Sequence, residues 1–311
     1  MRFSEAIKLF NKYRSLEKEA GTIKGYDLDL RQFCLWLHDP LITQVTPEHV
    51  VEYVNGMKEL GWSQNAIMVK CVCFTQFFKF WAKKGYPVLN YELIPHVKRE
   101  YREPKVANIE HTEKLLELCD KYPDDPYFVR NKALILMYAD TGARNSEITS
   151  MNRDVDTEVC EEFQDFKQYS YIIKTKKSRG RKPFRRIFWY DRTNEALKKW
   201  IKIRDAIAYD IDKDALFIGI TSKGVQNAGR RLKSHTIALM LRKLCRMANV
   251  PLVNCHSQRH RFGTDLASRG ASNSVVSDLM GHADLSSSFI YTHLNDEQLK
   301  KAHLKYKKKI V

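Results

Sequence analysis

No run of 18 or more apolar residues occurs in the 311-residue chain, which removes a membrane-spanning helix from consideration. The opening MRFSEAIKLFNKYRSLEKEA also lacks the uninterrupted apolar stretch of a secretory signal, because charge interrupts it from the second residue. Cysteine is scarce and odd in number: seven, at positions 34, 71, 73, 119, 160, 245 and 255. Cys71 and Cys73 form a C-x-C, but no second Cys/His pair lies near enough to complete a zinc knuckle. Reduced thiols in a cytoplasmic protein, with no metal and no cofactor, are the expectation. No internal repeat or low-complexity segment is present. Acidic residues are the other deficit, 37 Asp+Glu against 53 Lys+Arg, for a net charge of +16. The first 100 residues hold 14 basic against 11 acidic residues, so the remaining 211 carry +13. Such a surplus suits a polyanion partner, whose bound counterions are released when phosphates are neutralised. Solubility charge reaches similar values, so basicity points to nucleic acid without naming a reaction.

What is present is a folded chain, 43% hydrophobic and 29% charged, longer than most single domains. Residues 4–19 and 22–38 place apolar side chains near helical spacing. TPEHVVEYVNGMKEL supplies Thr46 as N-cap, Pro47 at the first helical position and Glu48 at the second. SQNAIMVKCVCFTQFFKFWAKKG is a longer helix ending at Gly85. These make a four-helix domain over 1–94. Residues 95–110 read as a basic linker with two prolines, either a solvated connector or a strap along a phosphate backbone. Over 111–311 the pattern is mostly helical. PYFVRNKALILMYADTG is nearly apolar and so predicted buried, and residues 169–190 form two β-rich runs around a Gly-containing turn, a hairpin. The fold class expected is mainly α: an N-terminal four-helix domain plus a mixed α+β domain with a small antiparallel sheet.

Chemistry-bearing residues gather in the second part. In HSQRHRFG, His256 and Arg259 share a helix face. His256 and His260 also have zinc-like spacing, but Ser257 stands where the metalloprotease motif needs its glutamate. Arg144 opens a helix in TGARNSEI, with Glu147 three residues on. Arginine's planar, permanently charged fork grips phosphate oxygens. The hairpin segment KTKKSRGRKPFRR holds eight basic residues in thirteen, too many like charges for an idle turn. Lys177, Arg179, Arg181, Lys182, Arg185 and Arg186 are therefore assigned to DNA binding. The last motif, LMGHADLSSSFIYTH, sets His282 after a glycine and Tyr291 nine residues later.

The order Arg144-x-x-Glu147, hairpin lysine, His256-x-x-Arg259, His282, Tyr291 resembles the tyrosine recombinase family of phage-type integrases and Xer-like resolvases. The 23 residues from Arg259 to His282 agree with it. LMGHADLSSSFIYTH is similar to the family's Leu-Leu-Gly-His block with its tyrosine, and the four N-terminal helices to its core-binding domain. Gln258 departs from the family's usual apolar residue. The resemblance implies a site-specific recombinase that cuts and rejoins double-stranded DNA through a 3′-phosphotyrosyl bond, without metal or ATP. Tyr291 would be the nucleophile and Arg144 and Arg259 the phosphate clamp. His256 would handle the tyrosine proton, and His282 would bond the phosphate. Lys174 would protonate the leaving 5′ oxygen, with Lys176 as the alternative lysine, and Glu147 would orient its neighbours. It also implies a homotetramer at specific sites, a C-terminal tail docking on a neighbouring subunit, and accessory DNA-bending proteins. A frayed tail touching DNA remains open. Two other functions stay in view, a type IB topoisomerase and a DNA-binding accessory protein without turnover. The separate four-helix domain argues against the first, and the correctly spaced nucleophile against the second.

Overall fold

The computed structural model describes residues 1–100, 105–155, 159–175, 183–207, 212–220, 229–281, 300 and 303–304. It divides into two compact units, Met1–Glu103 and Pro104–Val311. The division falls inside the expected 95–110 linker. The first part of that stretch is held down: the side chains of Gln64 and Asn65 bond the backbone of Lys98 and Glu100.

The first unit holds α1 (Phe3–Arg14), α2 (Ala20–Trp36), α3 (Pro47–Glu59) and α4 (Gln64–Lys83). Helix α1 stops at Arg14 and not near residue 19, because SLEKE offers no further core-facing side chain; Leu16 is 87% exposed. Helix α3 starts where Thr46 and Pro47 predict, with the Thr46 amide donating to His49 Nδ1 at 3.1 Å. The Ser63 hydroxyl caps α4 by accepting from the Ala66 amide, and Gly85 follows its end at φ +81°. The core is aromatic: Phe3, Phe10, Phe33, Phe74, Phe77 and Phe78 are fully buried, with ring centroids 4.6–6.0 Å apart in edge-on and offset pairs. Lys70 is buried, its ammonium 5.2 Å from the Trp62 ring, and donates to Asp29 (2.8 Å) and Gln32 (2.7 Å), which supply the partners a buried ammonium requires.

The second unit is built on α6 (Pro126–Thr141), buried on every side as its apolar sequence predicts and packed by α5 (Ile109–Asp120), α8 (Asp191–Ile207) and α10 (Cys255–Ser268). Asp125 caps α6 at the Tyr127 amide, with Pro126 at the first position. A three-stranded antiparallel sheet runs β1 (Glu161–Glu162), β2 (Lys167–Lys174), β3 (Phe184–Tyr190), with Gln168 opposite Tyr190 and Lys174 opposite Phe184. Helices α7 (Asn145–Thr149), α9 (Ser234–Met247) and α11 (Asn273–Met280) complete it. The departure at Gln258 is absorbed: the buried amide donates to Thr112 Oγ1 at 2.8 Å. From the C-terminal segment, His303 is buried within the same chain, its Nδ1 2.8 Å from the Tyr190 hydroxyl. No helix among the described residues is long and apolar enough to cross a membrane.

Candidate active site

Three arginines from three separate elements converge on one end of α11. Arg144 is the residue before α7, where Gly142, at φ +57°, turns the chain out of α6. A side chain on Gly142 would run into the ring of Phe262, so the sharp turn requires glycine twice over. Arg259 projects from the first turns of α10, whose start is fixed by Asn254 accepting from the Ser257 amide. Arg185 comes from β3, on the ladder opposite Ile173.

Their targets are consecutive. Arg185 Nη1 donates to the Leu279 carbonyl (2.5 Å), Arg259 Nη2 to that of Met280 (2.6 Å) and Arg144 Nη1 to that of Gly281 (2.9 Å). These carbonyls end a helix, have no backbone partner among the described residues, and carry the negative end of the helix dipole. Arg259 Nη1 also donates to the Gly142 carbonyl at 2.7 Å, tying α10 to the turn before Arg144.

Glu147 is the single carboxylate in this group and is wholly buried. Its Oε1 accepts from Arg144 Nη1 (2.9 Å), and Oε2 accepts from the Arg144 amide (2.9 Å) and Arg185 Nη2 (3.0 Å). Burial works to push its carboxyl up, but the charge of Arg185 and the bonds from both arginines outweigh it and hold the group below its ordinary value. Three guanidiniums around one carboxylate leave a surplus of two positive charges. The crowding shows at Arg259, whose guanidinium is brought down to about 9 by burial and by the neighbouring charges of Arg144 and Arg185. An anion bound here would relieve both costs.

His256 lies on the exposed side of α10, its ring 4.4 Å from that of His260 in an edge-on arrangement. Burial, then His256 and Arg259, lower the His260 value. No cluster of metal-ligating side chains forms among the described residues. Lys174 is exposed at the end of β2, one step out of phase with Ile173, whose ladder partner is Arg185. The structure therefore brings Arg144, Arg259 and Glu147 together and leaves Lys174 on the other face of the strand. His282, Tyr291, Lys176, Lys177, Arg179, Arg181 and Lys182 lie outside the described residues.

Two placements differ from the sequence expectation. Arg185, expected among outward DNA-contacting cations, is 8% exposed and turned into the cluster, whereas its neighbour Arg186 points the other way and donates to Ser170 Oγ at 3.2 Å. Helix α11 is absent from the sequence expectation. Its signal was available: Ser272 as N-cap, Val275, Val276, Leu279 and Met280 at helical spacing, and Gly281 as terminator.

The chain is similar to known proteins over nearly its whole length. The model for "Phage integrase family" matches residues 107–298, and that for "Phage integrase, N-terminal SAM-like domain" matches residues 7–85. Tyrosine recombinase XerC of Listeria monocytogenes serotype 4b is 28% identical over 295 residues, covering 92% of this chain and 91% of its own. XerC of Oceanobacillus iheyensis is 27% identical over 308 residues, covering 96% and 94%. Among solved structures, XerH site-specific recombinase bound to palindromic difH substrate superposes with a TM-score of 0.65 at 23% identity, over 96% of this chain and 83% of that one. The Tn1549 transposon integrase in complex with circular intermediate DNA gives 0.65 at 18%, over 98% and 99%. At these identities the superpositions show a shared fold.

Proposed function

The chain belongs to the phage integrase family, and from that premise we propose that it is a site-specific DNA recombinase acting through a phosphotyrosyl intermediate at Tyr291. The observation that carries this is the meeting of Arg144 and Arg259 at the carbonyls of Met280 and Gly281, immediately before His282 in the chain. A phosphate clamp thus adjoins the segment that bears the nucleophile.

In the proposed reaction the Tyr291 phenol attacks a phosphodiester, a phosphorus–oxygen bond to Tyr291 forms, and the bond to the 5′ oxygen breaks. A free phenol has a pKa of about 10 and is a weak nucleophile near neutrality, so His256 takes its proton. Lys174, or Lys176 in its place, returns a proton to the departing 5′ oxygen, reaching it around the end of β2 because the Lys174 side of the strand faces away from Arg185. Negative charge grows on the non-bridging oxygens as phosphorus becomes five-coordinate, and Arg144 and Arg259 neutralise it from fixed positions. His282 adds a hydrogen bond, and Glu147 holds Arg144 in place. Reversal of the same steps by a hydroxyl from another strand rejoins the DNA. One phosphoester is exchanged for another throughout, so no ATP is consumed.

The remaining assignments belong to the same proposal. Residues 1–94 serve as the core-binding domain and 95–110 as a basic strap on the DNA. Lys177, Arg179, Arg181, Lys182 and Arg186 contact phosphates. The protein works in the cytoplasm as a homotetramer on double-stranded DNA, assisted by DNA-bending proteins; His303 of the C-terminal tail is anchored in its own chain, and the tail docks on a neighbouring subunit through its other residues. The test is incubation in EDTA with nicked duplexes from a randomised pool and from the gene's own flanks, resolved on denaturing gels. A protein-linked strand that vanishes in Tyr291→Phe is the expected result. Tight binding with no adduct would favour an accessory DNA-binding role, and relaxation of any supercoiled plasmid a topoisomerase.

A further inference from the structure

We infer that Arg185 is a positioning residue of the catalytic cluster: it neutralises Glu147 and pins the end of α11, so that Arg144 and Arg259 keep donors free for the phosphate. This rests on the recombinase reading of the site. Three observations carry it. First, Arg185 is buried and spends its two terminal nitrogens on two targets, Glu147 Oε2 at 3.0 Å and the Leu279 carbonyl at 2.5 Å. It thereby links the carboxylate orienting Arg144 to the Leu279 carbonyl, inside α11 itself, while Arg144 reaches only the Gly281 carbonyl that follows the helix. Second, Gly281 is shaped around it. A Cβ there would stand 2.6 Å from Arg185 Cδ and 2.8 Å from its Nε, and the backbone has φ +63°, so both the approach and the turn require glycine. Third, among the described residues Glu147 has only Arg144 and Arg185 as cationic hydrogen-bond partners. Without Arg185, the carboxylate would draw on Arg144 alone and reduce the charge offered to a phosphate.

The alternative, that Arg185 touches the DNA backbone as a hairpin cation, makes opposite predictions. A phosphate contact contributes about one unit to the slope of log affinity against log salt; a buried positioning residue contributes none. In Arg185→Met we expect DNA affinity within about twofold of wild type and an unchanged salt slope. Single-turnover cleavage of a nicked duplex at saturating DNA should fall about 100-fold. Arg185→Lys, which keeps the charge but loses the fork, should fall in between. Adding Glu147→Gln to Arg185→Met should recover about tenfold over the single variant, by freeing Arg144. Hydrogen exchange at the amides of Leu279, Met280 and Gly281 should quicken in both Arg185 variants, a reading that needs no turnover.

Wild-type cleavage at saturating DNA with a shallower salt slope would overturn the inference, as would unchanged exchange at residues 279–281. Should Arg185→Met not fold, as judged by its thermal melt, the lysine variant's exchange decides. If wild type forms no Tyr291-linked adduct, the recombinase reading fails by itself, while the exchange comparison still decides whether Arg185 holds the end of α11.

Discussion

Arg259 occupies the most costly position for a cation in the molecule's described chemistry. Its guanidinium is buried beside two others and depressed to about 9, and under the proposed function a phosphate would offset that cost. Arg259→Ala should therefore slow cleavage by about 100-fold or more, since it removes transition-state donors. Single-turnover assays at saturating DNA check this. Tyr291→Phe should keep DNA affinity within about twofold and abolish the covalent adduct, because only the attacking oxygen is lost. Motif spacing singled out Arg144, Glu147 and Arg259, which the structure brings to one place, and His256, which stands exposed on α10. The inward turn of Arg185 has a sequence signal as well. On a strand it is in phase with Ile187 and Trp189, both core residues, so period-two alternation places it inside. Its position in a run of cations masked that signal.

Elements were legible where caps and apolar periodicity agreed, as for α3, α4 and α6. They were not where tertiary contacts decide. Helix α1 ends when its core-facing residues run out. Helix α11 is only eight residues long, too short to stand alone, and it persists because its last carbonyls are bonded by three side chains from elsewhere. The turn between α6 and α7 is an element-scale weak point of the opposite kind. Gly142→Ala would place a methyl group in the Phe262 ring on a left-handed backbone. It should destabilise the second unit by about 2 kcal/mol or more and shift Arg144 with it. A lower melting temperature together with slower cleavage is the expected outcome; loss of neither would contradict the packing described.

At the scale of the whole chain, charge, length and the composition break after residue 94 pointed to two bodies and a polyanion partner. What composition could not give was how each body is held. In the first, Asp39 accepts from the Ser4 amide (2.8 Å) and hydroxyl (2.9 Å), fastening the start of α1 to the turn after α2. The Ser4 amide bond, with further help from its hydroxyl, Cys34 and Arg2, holds the Asp39 carboxyl below its ordinary value against a smaller opposing effect of burial. A lowered native value means the stabilisation is complete above the unfolded carboxyl's range and disappears as pH falls through the native one. Asp39→Asn should accordingly melt below wild type near neutrality, with the gap closing toward pH 3, roughly the lower edge of the carboxylate range. Thermal melts across that interval decide it; a gap independent of pH would assign the effect to geometry alone.

The three consecutive carbonyls of Leu279, Met280 and Gly281 have a consequence for motion. Each is grasped by a different arginine, so a slip of one residue along the chain would misplace all three bonds together. The end of α11 is therefore indexed like a key in a three-pin lock. A shifted register would cost all three bonds at once, so the backbone at Gly281 is held at one position.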